Sequence, residues 1–500
     1  MDSKTPPRTP LRDLVGAVTD LVVEIHSDPT VEVTGIAYDS RRVDAGNLFV
    51  CIPGTVADGH EFADQAVAAG ATCLCVTRKL TVDVPQIVVS NARAAMARLA
   101  AAFYGHPADE LVFLGVTGTN GKTTTAFLLE SILVADGRLA GLIGTIETHL
   151  GDERRPGVRT TPESVDLQSL LREMRDRGVD AVAMEVTSHG LVLERVEGVR
   201  FRAAAFTNLS QDHLDFHSGM DDYFEAKRSL FRHDRVDRAA VNIDDEHGRM
   251  LVKSIDIPTV TFGLADGADV RATDITMGPS GTSFTIATPK GDAKIESRLV
   301  GDFNVYNCLA AAATALQAGI GLETIEAGLS SLSSVPGRFE SIDRGQPFVV
   351  IVDYAHTPEA LDNVLRAART LADRTGGKVI CVFGCGGDRD KGKRPLMGAV
   401  AAQRADLVIV TSDNPRSEDP QSIIDEILEG VIAHSADGPD RVFVDRREAI
   451  SAAVEQAQPN DVIVIAGKGH ETGQEFADRT IPFDDRVVVA EALTRQGWGK

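Results

Sequence analysis

Lys122 and Thr123 stand directly behind glycines at 115, 118 and 121, in the stretch LVFLGVTGTNGKTTT (111–125). A lysine and a hydroxyl after a glycine turn are what a phosphate cradle needs. Backbone N–H groups and a helix N-terminus attract the anion, the ammonium of Lys122 reaches the outer phosphates, and the Thr123 hydroxyl ligates Mg²⁺. The general P-loop pattern would put glycine at 116, where this chain has valine; Gly118 supplies a shorter G-x-x-G-K-T spacing instead. The plain alternative is a glycine-rich turn carrying a solvated lysine. A dinucleotide site fits less well, because the glycines run G-x-x-G-x-x-G and Lys-Thr suits a triphosphate with its metal. ATP is the expected ligand.

The elements that must position this loop can be read around it. Leu111–Val116 is a short apolar run, as expected of a buried strand in a parallel sheet. Thr124–Gly137 has helical spacing and stops on glycine. Two further buried strands, Ala181–Met184 ending at Glu185 and Ala203–Phe206 running into TNLSQDHLDFH, complete a central α/β domain assigned to residues 109–335. Within it, 270–299 alternates as a β-meander broken by PSGT and PKGD turns.

Before this domain, residues 1–108 carry short β-like runs (Val31–Tyr38, Asn47–Ile52, Thr72–Thr77, Gln86–Ser90). The helical stretches Ala63–Ala69 and Ala92–Tyr104 lie among them, giving a small α/β domain. After SVPGRFE (334–340), residues 336–500 alternate strand and helix through FVVIVD, KVICVF, ADLVIVT, RVFVD and DVIVIAG. That is a Rossmann-like doubly wound parallel sheet. The expected fold is therefore three-domain α/β.

Composition bounds the rest. Of 500 residues, 43% are hydrophobic and 25% charged, as in a soluble globular enzyme. No apolar stretch nears the ~20 residues of a membrane span, and MDSKTPPRTPLRDL lacks a signal-peptide core, so a cytoplasmic location is expected. The six cysteines are scattered without zinc or disulfide spacing and read as buried thiols. A net charge of −22 argues against nucleic-acid binding, and anionic substrates would need local basic groups against that field.

Ligands of open parallel sheets bind beyond the carboxyl ends of the strands, and the polar loops of this chain fall there. The central domain presents the phosphate loop, Glu185 and NLSQDHLDFH. The C-terminal domain presents DYAHTP (353–358), GCGGDRDKGKRP (384–395), TSDNPRSEDP (411–420) and GKGHE (467–471). Glu185 has the position of a Mg²⁺-holding carboxylate, or of a buried acid bonded to backbone. His213 is either a second metal ligand or an ordinary loop histidine. On residue type alone Lys227 is a solvated helix lysine.

Taken together and in order, GVTGTNGKTT, AMEVTSHGL, FTNLSQDHLDFH, YFEAKRSLF, GDFNVYNCLAA, VPGRFE, VDYAHTP, FGCGGDRDKGKRP, SDNPR and AGKGHE resemble the Mur ligases. The resemblance spans residues 31–486 and is nearest to the branch adding the third amino acid of the peptidoglycan precursor. It implies that Gly118, Thr119, Asn120, Gly121, Lys122, Thr123 and Thr124 hold ATP, with Asn307, Arg338 and Asp353 also around the nucleotide. Thr123 and Glu185 would share one Mg²⁺, and His213 would bind a second. Lys227 matches the family lysine carbamylated by CO₂, which needs a neutral amine. Ser40, Thr160 and Thr161 match contacts to a UDP-sugar; Ser188 and Arg195 match contacts to its peptide and carboxylate end. Thr187 stands where serine is usual and Leu193 where a polar residue is common.

The resemblance also ties Asp-Asn-Pro-Arg (Asp413, Asn414, Pro415, Arg416) to meso-diaminopimelate, completed by Arg389, Gly467 and Glu471. The chemistry agrees: diaminopimelate has a distal carboxylate that lysine lacks, and a guanidinium can grip it bidentately. The implied reaction is ATP-dependent amide ligation through an acyl phosphate, with Lys122, Glu185, His213 and Lys227 as its machinery and His356 or His470 as candidate bases. Small-molecule substrates are the expected partners, with monomer as the default state. Rivals are a lysine-adding ligase, a folylpolyglutamate-synthetase-like ligase, and a non-catalytic nucleotide switch.

Overall fold

The computed structural model describes residues 8–26, 30–54, 57–278, 281–435 and 438–499. Three main sheets follow one another along the chain, with two further two-stranded sheets among the described residues. In the first, strands Gly35–Ala37, Asn47–Val50, Cys73–Val76 and Gln86–Val89 run parallel, and Val22–His26 adds antiparallel to the last. The single strand expected over Val31–Tyr38 is two: Glu32–Val33 pairs with Thr9–Pro10, while Gly35–Ala37 joins the sheet.

The central sheet has eleven strands. Its parallel core places Val112–Thr117 between Ala181–Glu185 and Phe201–Phe206. Both faces of this strand are covered, with Phe113, Leu114 and Val116 at most 0% exposed, each such side chain stabilising the fold by about 1.5–3 kcal/mol. Register sets the function of the edge. Glu185 lies opposite Val116 and Phe206 opposite Thr117, so all three strands deliver their following residues to one rim.

Sequence patterning did not anticipate strands Ala140–Ile143, Ala239–Asn242 and Thr259–Gly263, nor the edge hairpin Glu147–Leu150/Glu153–Pro156. The meander (Val270–Gly278, Gly281–Thr288, Gly291–Ser297) is present, and it continues the same sheet through Val270 beside Phe262. Part of its PSGT turn, Pro279 and Ser280, lies outside the described residues. The helix expected over Thr124–Gly137 runs Lys122–Ala135, so Lys122 sits in its first turn.

The third sheet orders Val349–Asp353, Val462–Ala466, Val379–Phe383, Leu407–Thr411 and Arg441–Phe443 in parallel, with Glu340–Ser341 antiparallel at the edge. Separate apolar clusters cover its two faces, one including Leu361 and Ile427 and the other Ile450 and Val489. The doubly wound expectation holds. All six cysteines are free and buried. Among the described residues no helix is long and apolar enough to cross a membrane.

Candidate functional site

The phosphate loop leaves the sheet under tight steric limits. A Cβ on Gly118 would lie 1.9 Å from Thr207 Oγ1, and one on Gly121 2.3 Å from Asn307 Oδ1; both glycines have positive φ. Only glycine lets the loop lie this close to its neighbours. Lys122 folds over the loop, donating to the carbonyls of Gly118 (2.9 Å) and Thr119 (2.7 Å). Burial draws its pKa down, against the pull of Glu185 and Asp212.

Thr123 and Glu185 are in direct contact. Thr123 Oγ1 donates to Glu185 Oε2 at 3.0 Å, while Glu185 Oε1 accepts the Thr145 N–H at 2.8 Å. Arg338 reaches across from the third sheet's side to donate to Thr123 Oγ1 at 3.0 Å, its guanidinium lying 4.4 Å over the Tyr354 ring. Asp353 accepts the N–H groups of Phe339 and Ala355, which makes it a clamp on the turn that carries Arg338. Asn120 Nδ2 donates to Glu359 across the same divide. A cavity of about 440 Å³ between the two domains takes in the loop, Glu185, His213, Asn307, Arg338 and Asp353.

Lys227 is no solvated lysine. It is 1% exposed, donates to the Gly118 carbonyl at 2.7 Å, and lies 4.4 Å over the Tyr223 ring. Burial, then the nearby Lys122 charge, push it well below the ordinary lysine range. His213 adopts a left-handed backbone (φ 55°) beside Asp212, with its Nε2 3.4 Å from Asp212 Oδ2. Burial lowers the pKa of His213. Asp212, not singled out from the sequence, is held low by His213, His356, Lys393 and Lys122 against its burial. Burial also lowers His356 to about 4, with Nδ1 2.9 Å from the Tyr354 carbonyl.

Hard oxygen donors at Thr123 and Glu185 suit Mg²⁺. The carboxylate is braced for such a role, since a Cβ on Gly144 would lie 2.5 Å from Glu185 Oε1. Among the described residues no three His, Cys, Asp or Glu side chains converge as a complete cage.

The second group lies on the third sheet. Asn414 Nδ2 donates to Glu471 Oε2 (2.8 Å), and Asn414 Oδ1 accepts from Lys468 Nζ (2.9 Å) and from the Glu475 N–H (3.1 Å). Arg416 is left-handed (φ 52°), donating through Nε to Glu475 Oε2 and through Nη1 to the Gly387 carbonyl, both at 2.8 Å. Non-glycine residues in this region store strain of order 1–3 kcal/mol, which clusters at functional sites. Asp413 packs against Gly467, where a Cβ would lie 2.4 Å from Asp413 Oδ2. The expected Gly467 backbone contact is narrowed to its carbonyl, because its N–H already donates to Asp353 O. Pro415 presents its carbonyl to the Glu418 N–H. Arg389 is exposed, donating to its neighbour's carbonyl.

Burial and Asp413 raise the pKa of Glu471, opposed by Lys468. Beneath, Arg446 and Asp485 form a fully buried bidentate pair that also anchors the carbonyls of Ala466 and Ser412. Lys468, Glu475 and Arg446 were not singled out from the sequence. AGKGHE contained the signal for the first; the other two lie in no motif.

Of the residues expected at a UDP-sugar, Thr160 lines the cavity and bonds Thr145 at 2.9 Å. Thr161 is turned inward instead, donating to the Glu185 carbonyl and accepting from Thr187. Ser188 Oγ is buried against His217 Nε2 at 2.9 Å. Arg195 grips Glu163 at 2.6 Å, and Ser40 donates to Gln65 on the first domain.

Three family models match in chain order: "Mur ligase family, catalytic domain" over 32–104, "Mur ligase middle domain" over 116–315, and "Mur ligase, glutamate ligase domain" over 337–469. The chain belongs to the Mur ligase family. A Geobacillus kaustophilus relative, named UDP-N-acetylmuramoyl-L-alanyl-D-glutamate--2,6-diaminopimelate ligase, is 48% identical over 95% of this chain and 97% of its own. A Streptomyces coelicolor relative of the same name is 47% identical over 97% of both. A solved ligase of that name is 33% identical with a TM-score of 0.69, covering 98% of this chain and all of its own. As a Mur ligase of three matched modules, the chain accounts for its three consecutive sheets.

Proposed function

We propose that this Mur ligase joins meso-2,6-diaminopimelate to the side-chain carboxylate of D-glutamate in UDP-N-acetylmuramoyl-L-alanyl-D-glutamate, at the expense of ATP. The observation that carries the reading is the hydrogen-bonded network that joins Asn414 to Glu471 and, through Glu475, to Arg416, in the domain that also sends Arg338 to the phosphate loop. The names of the relatives support it. In this reading residues 1–108 receive the UDP-sugar, 109–335 hold ATP, and 336–500 bind the amino acid. The substrates are soluble precursors, so the enzyme works in the cytoplasm.

The γ-phosphoryl group passes to the glutamate carboxylate, forming a C–O–P acyl phosphate and releasing ADP. The amine of diaminopimelate then adds to the acyl carbon, loses a proton, and expels phosphate as the amide forms. The chain's part is chiefly charge and position. Gly118–Thr124 would bind the phosphates, with Lys122 leaving its carbonyl partners for the outer oxygens. Arg338 and Asn307 flank them. Thr123 and Glu185 would hold one Mg²⁺, and His213 with carbamylated Lys227 a second; such ions offset phosphate–carboxylate repulsion. The buried, depressed amine of Lys227 suits reaction with CO₂. Thr160, Ser188 and Arg195 would guide the peptide end, and Ser40 the sugar. Arg416 would exchange Glu475 for the distal carboxylate of diaminopimelate, with Arg389 beside it. Glu471 would pair with the distal ammonium, and closure between the domains would keep water from the acyl phosphate.

The test is amino-acid-dependent phosphate release from ATP with the UDP-dipeptide present. Release is expected with meso-diaminopimelate and far less with L-lysine. Equal turnover with lysine would keep the ligase and remove the specificity. No release with either would leave a nucleotide switch.

A further inference from the structure

Lys468 is a buried cation that the reaction as written does not use. Its side chain is fully buried, yet its Nζ is only 2.9 Å from both Asn414 Oδ1 and Glu471 Oε2. Asn414 Nδ2 closes the triangle onto the same Glu471 oxygen at 2.8 Å. One carboxylate oxygen thus takes two donors from within the protein. We infer that Lys468 is a positioning residue for the amino-acid substrate: it fixes the amide orientation of Asn414 and pins one oxygen of Glu471, leaving the other to face the substrate ammonium. This rests on the diaminopimelate reading above.

Three observations carry it. An asparagine amide can be flipped about its last bond, exchanging donor and acceptor. The ammonium can only donate, so it forces Oδ1 toward itself, and the Glu475 N–H reinforces the same choice at 3.1 Å. Nδ2 is thereby committed to Glu471. Charge is the second observation. Asp413 and Tyr354 face Glu471 as acids, and burial acts with Asp413 against its ionised form; Lys468 and the deeper Arg446 are the opposing cations. A neutral Glu471 could not ion-pair with an ammonium. The third is continuity: Glu475, whose N–H meets Asn414, also holds Arg416 through its carboxylate, while Gln474 donates to the Asp413 carbonyl at 2.7 Å. One network therefore reaches the residues read as gripping both distal groups of the substrate.

The experiment compares Lys468→Met, Glu471→Gln and the double variant with the unaltered enzyme. KM for meso-diaminopimelate, ATP and the UDP-dipeptide is measured across pH. Lys468→Met should raise KM for diaminopimelate about 10–100-fold, the cost of a buried partner left unsatisfied. KM for ATP should stay within about twofold, because the nucleotide loop does not touch this triangle. The acid limb of kcat/KM for diaminopimelate should move to higher pH, since removing the cation makes Glu471 harder to ionise. In the Glu471→Gln background, adding Lys468→Met should cost markedly less than in the unaltered enzyme, because only its hold on Asn414 is left to lose, and that double variant also avoids leaving one buried charge alone. Equal rises in all three KM values, an unmoved acid limb, or strictly additive effects in the double variant would overturn the inference. An unaltered enzyme inactive with diaminopimelate would overturn the underlying reading and the inference with it; an active one with an unchanged Lys468→Met overturns the inference alone.

Discussion

Lys227 and Lys468 are both buried lysines, and they sit in opposite kinds of surroundings. Lys227 meets a backbone carbonyl and the face of Tyr223, with a second ammonium, Lys122, adding to the cost of its charge. Lys468 meets a carboxylate and an amide oxygen. Burying a charge without a counter-ion drives a lysine toward its neutral amine, whereas a carboxylate partner keeps it a cation. The same residue type therefore serves two purposes. In the proposed reading, burial beside the phosphate loop would make an amine available for chemistry, and beside Asn414 and Glu471 a lysine would organise its neighbours.

The comparison can be broken hardest at Arg446. Like Lys468 it is a buried cation with a carboxylate partner, and its pair with Asp485 is fully enclosed. Arg446→Met leaves Asp485 charged and alone, and should cost about 3–5 kcal/mol in urea unfolding. Arg446→Met with Asp485→Leu should recover much of that loss. If the single variant costs under ~1 kcal/mol, partnered burial matters less here than at an exposed ion pair.

On the other side of the comparison, Lys227→Ala should lower kcat by about 10²–10³-fold, the range for removing one group that stabilises charge in the reacting complex. Folding should be largely retained, because the one hydrogen bond lost, to the Gly118 carbonyl, is a modest contribution. Added acetate or formate should restore part of the rate by supplying a carboxylate in the space. Loss with no rescue would make Lys227 a packing residue.

A smaller effect is expected at Arg416. Replacing it with alanine should reduce kcat/KM for diaminopimelate about 10–100-fold, as for one lost charge-assisted hydrogen bond pair, with KM for ATP unchanged. The preference over lysine should fall by a similar factor. An undiminished preference would shift discrimination to Arg389 or to the Asn414–Glu471–Lys468 triangle.

The nucleotide end was far more legible in the sequence than the amino-acid end. Gly118, Gly121, Lys122 and Thr123 are consecutive enough for local chemistry to declare itself, and Glu185 ends a strand recognisable by its apolar run. The third sheet was equally plain, because its four inner strands are continuous, largely buried apolar runs. What escaped was long-range. Glu475 meets Arg416 from 59 positions away and Arg446 meets Asp485 from 39, on short or amphipathic segments that have no composition of their own. Lys227 was misread by residue type, as a helix lysine with alternating charges around it; only the resemblance pointed to the burial that the structure displays. Thr161, expected at the substrate, also donates to the Glu185 carbonyl, a bond 24 positions apart that no local motif announces. The edge hairpin was missed because its strands, ETHL and ERRP, are four residues each and carry no clear apolar alternation.

That hairpin carries the smallest expected effect and a third kind of buried cation. His149 is 1% exposed, with Nδ1 2.6 Å from Glu130 Oε1 on the phosphate-loop helix and Nε2 2.7 Å from Glu147 Oε2. Burial works to lower its pKa, but Glu130 and Glu147 outweigh burial and raise it above 6.5. Lys468 has one carboxylate and Lys227 none; His149 has two, on a ring that can lose its proton near neutrality. A folded value above the unfolded one means that the pair of ion contacts contributes full stability below about pH 6.5 and loses it as pH rises through the raised value. His149→Gln removes that dependence. Urea unfolding of the two proteins between pH 6 and 9 should therefore show a gap that is widest at the acid end and narrows with rising pH. A gap independent of pH would mean that the imidazole is neutral throughout, and that two carboxylates within hydrogen-bond distance do not suffice to hold a buried cation charged.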